Sequence, residues 1–318
     1  FAIAFDPQSP QRVFAGGFTT GLWRSDDGGV TWAQGSNALS GRTVSAAAVD
    51  PTAPSRVLVA TPEGTYESND RGENWSPIAA LAGLSGRSIA FDPLRPGTVF
   101  VGTVGSGVYH SSNDGQTWSP LAGGPVTASA LSIDAAGHLY VAGDAGVWQW
   151  PQGGTAWVDL RFNLPSAPVT GIHVHPAAPN VLFAASGTGI HVLSNSNLTP
   201  QWVALTVEGA RFVTSDAAGY LLHSGSEIGS MKLSTDIGRT WVRGDHGIQT
   251  AFIGGLSSTL TPNGRRVIAA TDLGVMTLDV GGAWRTALPL REGVFEVVTD
   301  GALAYAGMET TGVWKSSA

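Results

Sequence analysis

Short apolar runs alternate with turn residues along the whole chain, and the first forty residues show the unit. Ile3-Ala4-Phe5 predicts a small strand, and Asp6-Pro7-Gln8-Ser9-Pro10 a rigid turn. Val13-Phe14-Ala15-Gly16 predicts a second strand and Gly21-Leu22-Trp23-Arg24-Ser25 a third. A polar stretch then leads into a fourth strand beginning at Thr31-Trp32. Ile89-Ala90-Phe91-Asp92-Pro93 repeats the opening almost letter for letter. Alternation with β-branched content argues strands, and Pro and Gly between them argue turns. No window carries a sustained helical period, so the pattern predicts an all-β protein.

The polar stretch before the fourth strand recurs. Ser25-Asp26-Asp27-Gly28-Gly29-Val30-Thr31-Trp32 returns as Ser68-Asn69-Asp70-Arg71-Gly72-Glu73-Asn74-Trp75 and as Ser234-Thr235-Asp236-Ile237-Gly238-Arg239-Thr240-Trp241. A fourth copy, ending at Trp118, has Asn113 in place of the Asp. A short carboxylate can bond the amides of its own turn, Gly accepts a positive φ, and the indole supplies an apolar anchor. With the eroded copies at Trp157, Trp202 and Trp284, the tryptophans recur at intervals of 43, 43, 39, 45, 39 and 43 residues. Periods of about 40–45 residues with four strands each are those of propeller blades.

The expected fold is therefore a single closed β-propeller of four-stranded blades spanning residues 1–318. The Gly that opens the third strand occurs eight times, from Gly21 to Gly312. That count gives eight blades, the last without its outer strand, at about 1–36, 37–79, 80–122, 123–161, 162–206, 207–245, 246–288 and 289–318. Seven blades with an extra flap is the alternative.

These boxes resemble the Asp-box (BNR) repeat propellers, over the whole sequence. The resemblance implies a structural role for Ser25, Asp27, Gly29 and Trp32, for Ser68, Asp70, Gly72 and Trp75, for Asn113 and Trp118, and for Asp236, Gly238 and Trp241. Such propellers include sialidases, xyloglucan-cleaving hydrolases, sortilin-type receptors and a photosystem II assembly factor. The sialidase Arg-Ile-Pro is absent here, and so is a set of three arginines with a nucleophilic tyrosine. The xyloglucanases place substrate between two propellers, and this sequence holds the repeats of one.

Charge and composition narrow the partners. A net charge of −7 and a pI near 5.4 argue against nucleic acid and anionic membranes. No stretch is apolar and long enough to enter a bilayer. With no cysteine there are neither disulfides nor thiolate metal sites. The expectation is an exported protein, periplasmic or extracellular, whose signal peptide is not in this sequence. No cofactor and no metal is expected.

Candidate chemistry lies in the loops. Propeller topology puts the turns between strands one and two with the boxes on one face, and the turns between strands two and three with the blade-joining segments on the other. Scaffolds of this kind carry function on such loops. The second face collects Glu63, Asp144, Glu227, Asp272 and Glu309 in the turns, and Arg42, Arg87, Arg161, Arg243 and Arg291 in the blade-joining loops, with Asp245 and His246 nearby. Opposed charges at one mouth can bind a polar ligand or simply pair, and solvated surface charge is the competing reading. Two of the five acids could serve a glycoside hydrolase if they lie about 5–9.5 Å apart. His173 and His175 alternate on one strand, but two ligands alone do not make a metal site. The expected function is a non-catalytic scaffold binding a protein partner or glycan through this face. A hydrolase, or a component of a larger extracellular or membrane-associated assembly, is the alternative.

Overall fold

The computed structural model describes the whole protein except residues 1, 10, 29–30, 36–37, 145, 177, 179–180, 195–199, 206–208, 216–220, 226–230, 245–252, 262–263, 273, 280–284, 290–293, 300–302, 309–312 and 318. It divides into two compact units, Phe1–Asp159 and Leu160–Ala318.

The first unit holds four antiparallel sheets of four strands each, in sequence order from the inner edge outward. They are β1–β4 (Ala2–Phe5, Val13–Gly16, Leu22–Ser25, Ala33–Gln34) and β5–β8 (Ala46–Val49, Val57–Thr61, Gly64–Ser68, Ser76–Pro77). Next come β9–β12 (Ser85–Phe91, Val99–Val104, Val108–Ser111, Ser119–Pro120) and β13–β16 (Ala130–Ile133, Leu139–Gly143, Gly146–Trp150, Val158–Asp159).

In the second unit the sheets are β17–β20 (Val169–Val174, Val181–Ser186, Gly189–Ser194, Trp202–Ala204) and β21–β24 (Ala210–Ser215, Leu221–Gly225, Met231–Ser234, Val242–Arg243). They are followed by β25–β28 (Ile253–Thr261, Gly264–Thr271, Gly274–Asp279, Arg285–Pro289) and a three-stranded sheet, β29–β31 (Val294–Thr299, Leu303–Met308, Val313–Ser317). The fold is an all-β propeller with four-stranded blades. Among the described residues no helix is long and apolar enough to cross a membrane.

Burial follows position in the blade. Second strands are covered on both faces, so they read as continuous apolar runs: all of β2, β6 and β14 is buried. Outer strands are two or three residues long except β28, which has five, and every residue of β4, β8, β12 and β16 is exposed. Short edges, prolines at Pro77 and Pro120 and a charge at Asp159 discourage pairing with other proteins. The edge of β20 has no such residue. There the Asn163 side chain accepts from the Trp202 N–H and donates to the Trp202 carbonyl, both at 2.8 Å, and so occupies the edge as a strand would.

The outer strand begins after the tryptophan in the first blade, at Ala33 rather than Thr31. The indole is thereby left to pack sideways. Trp75 joins Phe14, Leu22 and Val57 of the neighbouring and its own sheet. Trp118 and Trp157 lie in the next two seams of this unit, and Trp241 packs with Phe183 and Ile190 in the second unit. Trp157, and Trp202 in the second unit, each donate to the preceding blade-end carbonyl: Trp157 to Leu121 at 3.1 Å and Trp202 to Leu160 at 2.6 Å.

One repeated feature was not visible in the sequence. At the start of the innermost strand, two residues stand opposite one. Register shifts leave Arg87, Thr170, Arg211, Gly254 and Phe295 as the extra residue. Ser45 and Ser129 take the same place, since each donates its N–H to the carbonyl of the residue, Ala60 or Ala142, that pairs with its successor. A β-bulge of this kind re-aims one side chain per blade.

Candidate functional site

In the first unit, backbone hydrogen bonds sort the loops into two faces. On one, the boxes meet the turns between strands one and two: Gly28 N–H to Gln11 O at 2.7 Å, Arg71 to Ser55 at 2.8 Å, Asp114 to Gly97 at 3.0 Å. On the other, the turns between strands two and three meet the blade-joining segments: Gly21 N–H to Arg42 O at 3.0 Å, Gly83 to Glu63 at 2.9 Å, Gly107 to Val126 at 2.7 Å.

On the box face the carboxylates of the boxes are taken up by their own turns, while Asp26 beside the first box pairs with Arg12 and Arg24. Asp70 accepts from Ser68 Oγ at 2.8 Å, from the Asn74 N–H at 2.8 Å and from Asn74 Nδ2 at 2.7 Å. The Asn74 amide and side chain hold its carboxyl at about 2. Asp236 is likewise held at about 2, by the Thr240 hydroxyl first and then its N–H. Asp27 accepts from Thr31 N–H and Oγ1, and Asn113 makes the corresponding bonds to Thr117. Gly72 and Gly238 have positive φ, and so do the residues before them, Arg71 at 63° and Ile237 at 60°. The turn thus asks for a left-handed conformation at two successive positions, not at the Gly alone. Gly29 lies outside the described residues.

A second set of acids on this face went unrecognised as such in the sequence. Asp6, Asp50, Asp92 and Asp134 are buried at the turn between strands one and two. Asp50 accepts from the Thr52 and Ala53 amides, and Asp92 from those of Leu94 and Arg95. Their Asp-Pro and Asp-x-x-Gly contexts were the available signal. His175 occupies the same position in the fifth sheet, buried, and the Ala178 N–H donates to its carbonyl. The metal reading of His173 and His175 finds no third ligand among the described residues. His173 Nε2 instead meets Ser215 Oγ at 2.8 Å across the seam to β21. Burial, and next the neighbouring His175, pulls His173 down to about 4.

The loop face is different. Arg42 Nη1 lies 3.3 Å from Glu63 Oε2, and its guanidinium sits 5.2 Å from the centroid of the Tyr66 ring. Arg42 also donates to the Ala38 carbonyl at 3.0 Å. Asp144 is exposed and accepts the Thr127 N–H at 3.3 Å. Arg161 is exposed in the segment after β16, and Asp272 lies at the turn after β26. Arg243 stands on the outer strand β24 and not in a blade-joining loop as expected, because its backbone pairs with Lys232; Glu227, Asp245, His246, Arg291 and Glu309 lie outside the described residues. Arg87 requires a correction: it is not in a blade-joining loop but is the bulge residue within β9, exposed. On this face of the first unit, large apolar side chains are also open to solvent: Phe18 is 64% exposed, Val104 48% and Val126 59%. Val104 and Val126 are neighbours, because the Ala128 N–H bonds Thr103 O and the Gly107 N–H bonds Val126 O.

Residues 20–129 match the family model described as Sortilin-Vps10 (sortilin, neurotensin receptor 3). No curated protein matches the sequence. Among solved structures, the GH74 xyloglucanase from Xanthomonas campestris aligns at a TM-score of 0.62 and 16% identity over 99% of this protein. The match spans 65% of that enzyme's length. A structure titled "YCF48 bound to D1 peptide" aligns at 0.63 and 16% identity, over 100% of this protein and 92% of that one. The computationally designed Ika8 protein aligns at 0.76 and 13% identity, over 100% and 95%. These likenesses support a β-propeller of the BNR-like, Asp-box type. Within that class its likenesses run to an enzyme and to a peptide-bound protein alike, so the site and not the fold must carry the functional reading.

Proposed function

We propose that this protein is a non-catalytic recognition propeller that binds a protein partner through an extended segment lying on its loop face. The eight sheets are read as eight blades of one closed ring and one domain, the last blade three-stranded, and the protein as exported. The observation that carries the proposal is the composition of the loop face in the first unit. Glu63 is held by Arg42, and Asp144 by a backbone amide, while Phe18, Val104 and Val126 present apolar surface beside them. Charges already engaged around exposed apolar anchors suit a recognition surface, in which a few desolvated side chains supply the affinity. A hydrolase instead needs two carboxylates facing one bond with a proton to exchange. Backbone-lined turns with exposed apolar side chains between them suit an extended peptide, whereas a glycan platform calls for several exposed aromatic rings, and Phe18 is the one ring among the exposed large apolar residues described in the first unit.

The test is binding of the purified protein to an immobilised array of random dodecapeptides, with Val126→Asp and Asp70→Ala as paired variants. Val126→Asp is expected to abolish the peptide signal and Asp70→Ala to leave it unchanged. Release of reducing sugar from a polysaccharide panel, undiminished by Val126→Asp, would overturn the proposal in favour of the hydrolase.

A further inference from the structure

The bulge of β9 creates a cation that no part of the described fold neutralises. Arg12, Arg24, Arg42, Arg56 and Arg95 of the first unit each meet a carboxylate. Arg87, exposed at the bulge, has neither an ion pair nor a side-chain hydrogen bond among the described residues. The two acids on its face, Glu63 and Asp144, are engaged elsewhere.

What flanks Arg87 is set by the repeat. Bulge residues of consecutive blades are neighbours: in the second unit Thr170 Oγ1 donates to the carbonyl of Arg211 at 2.7 Å. In the first unit the places on either side of Arg87 belong to Ser45 and Ser129. The adjoining residues approach closely there: a Cβ added to Gly86 would come within 2.8 Å of the Ala60 Cβ, whose carbonyl accepts from the Ser45 N–H, and Ser88 Oγ donates to the carbonyl of Ala128, the residue before Ser129, at 3.1 Å. Neither serine hydroxyl has a partner among the described residues. One planar cation with a hydroxyl donor on each side, at one edge of the apolar Val104–Val126 surface, matches a carboxylate. The guanidinium can take both oxygens, and the hydroxyls donate to the remaining lone pairs. A phosphate, at nearly two charges, is taken by a cluster of arginines, and a polyanion by a basic surface that this acidic protein lacks.

We propose that Ser45, Arg87 and Ser129 form a carboxylate-binding site that fixes the register of the bound peptide. This rests on the loop-face reading above. The carboxylate can come from the side group of an Asp or Glu or from a free peptide C-terminus, and the test separates the two.

Three fluorescein-labelled nonapeptide pools in an Ala/Val/Ser background are titrated by anisotropy against the full protein. One is end-blocked with a central Glu, one end-blocked with a central Gln, and one has the central Gln and a free C-terminal carboxylate. A carboxylate-bearing pool is expected to bind about 10-fold more tightly than the blocked Gln pool, and Arg87→Gln to erase that difference. Advantage in the Glu pool assigns an internal acidic residue, and in the third pool a C-terminus. Equal binding of all three pools, still abolished by Val126→Asp, would overturn this site and leave the loop-face reading standing. Absence of binding by every pool would overturn both. In a second readout, acetate titrated into the protein should shift the Arg87 Nε–Hε NMR resonance more than that of Arg71, which is exposed on the box face and also without a carboxylate partner. Equal shifts would overturn the site irrespective of folding effects in the variant.

Discussion

The two faces of the first unit use the same residue types to opposite ends. On the box face, the box carboxylates Asp27 and Asp70 are bound by hydroxyls and amides two to four residues away, and Asp6, Asp50, Asp92 and Asp134 are buried at the mouth of a turn. On the loop face, Arg42 reaches across 21 positions to Glu63, and Arg87 reaches nothing described. A side chain whose partners lie within its own turn is committed before the rest of the protein folds. One whose partner lies in another loop depends on tertiary placement, and can be left available. Stability should therefore respond to box-face changes and binding to loop-face changes.

The largest effect is expected at the indoles that carry the box into the seam. Trp202 is 3% exposed and Trp75 is 7% exposed, so Trp202→Ala and Trp75→Ala should each cost about 3–5 kcal/mol in denaturant unfolding. Trp32 and Trp241 are half-buried, and their alanine variants should cost less. Equal losses at all four would mean that the box, not the seam, sets the value.

Acid separates the interior from the boxes. His173 has its folded value pulled down to about 4 from 6.5, so the stability it contributes by staying neutral is present above 6.5 and is lost as pH falls from there towards 4. Asp70 and Asp236 are held at about 2 against 3.8, so their contribution is intact above 3.8 and is lost between there and 2. The melting temperature should fall in two steps, and His173→Gln should flatten only the upper one. A single step near pH 3 would remove the interior histidine from the account.

Within the box, Asp70→Ala should cost about 1 kcal/mol, the worth of a solvent-exposed hydrogen-bond set. A chelator should leave the melting temperature of the parent protein unchanged. Ile237 holds a left-handed φ of 60° that a β-branched side chain resists, so Ile237→Asn should raise stability by about 1 kcal/mol.

The smallest stability changes belong to the loop face. Arg42→Ala removes an exposed pair and should shift unfolding by no more than about 1 kcal/mol, and Val126→Asp by about 0.5 kcal/mol. Arg42→Ala should nonetheless weaken peptide binding, and Val126→Asp abolish it. A stability loss at Val126 matching that at Trp75 would erase the division between the faces.

Strand order, the box turns and the tryptophan period were legible in the sequence because each depends on residues a few positions apart. Ser68, Asp70, Gly72 and Asn74 close one turn among themselves, and the run Val57–Thr61 is apolar because both its faces are covered. The Arg42–Glu63 pair was within reach of the same reading, since topology alone puts their loops on one face. Arg87 reads as a loop residue because a one-residue bulge leaves no composition signal: Ser85-Gly86-Arg87-Ser88 has the make-up of a linker. Only the pairing of Ser88 with Gly102 and of Gly86 with Thr103 shows that Arg87 is the extra residue in a strand. The same holds for Asn163, whose amide closes the edge of β20 from 39 positions away. Which charges are neutralised and which remain available was decided by tertiary structure, because ion pairs and bulges are set by strand register and by the distance between blades, and neither quantity is local in sequence.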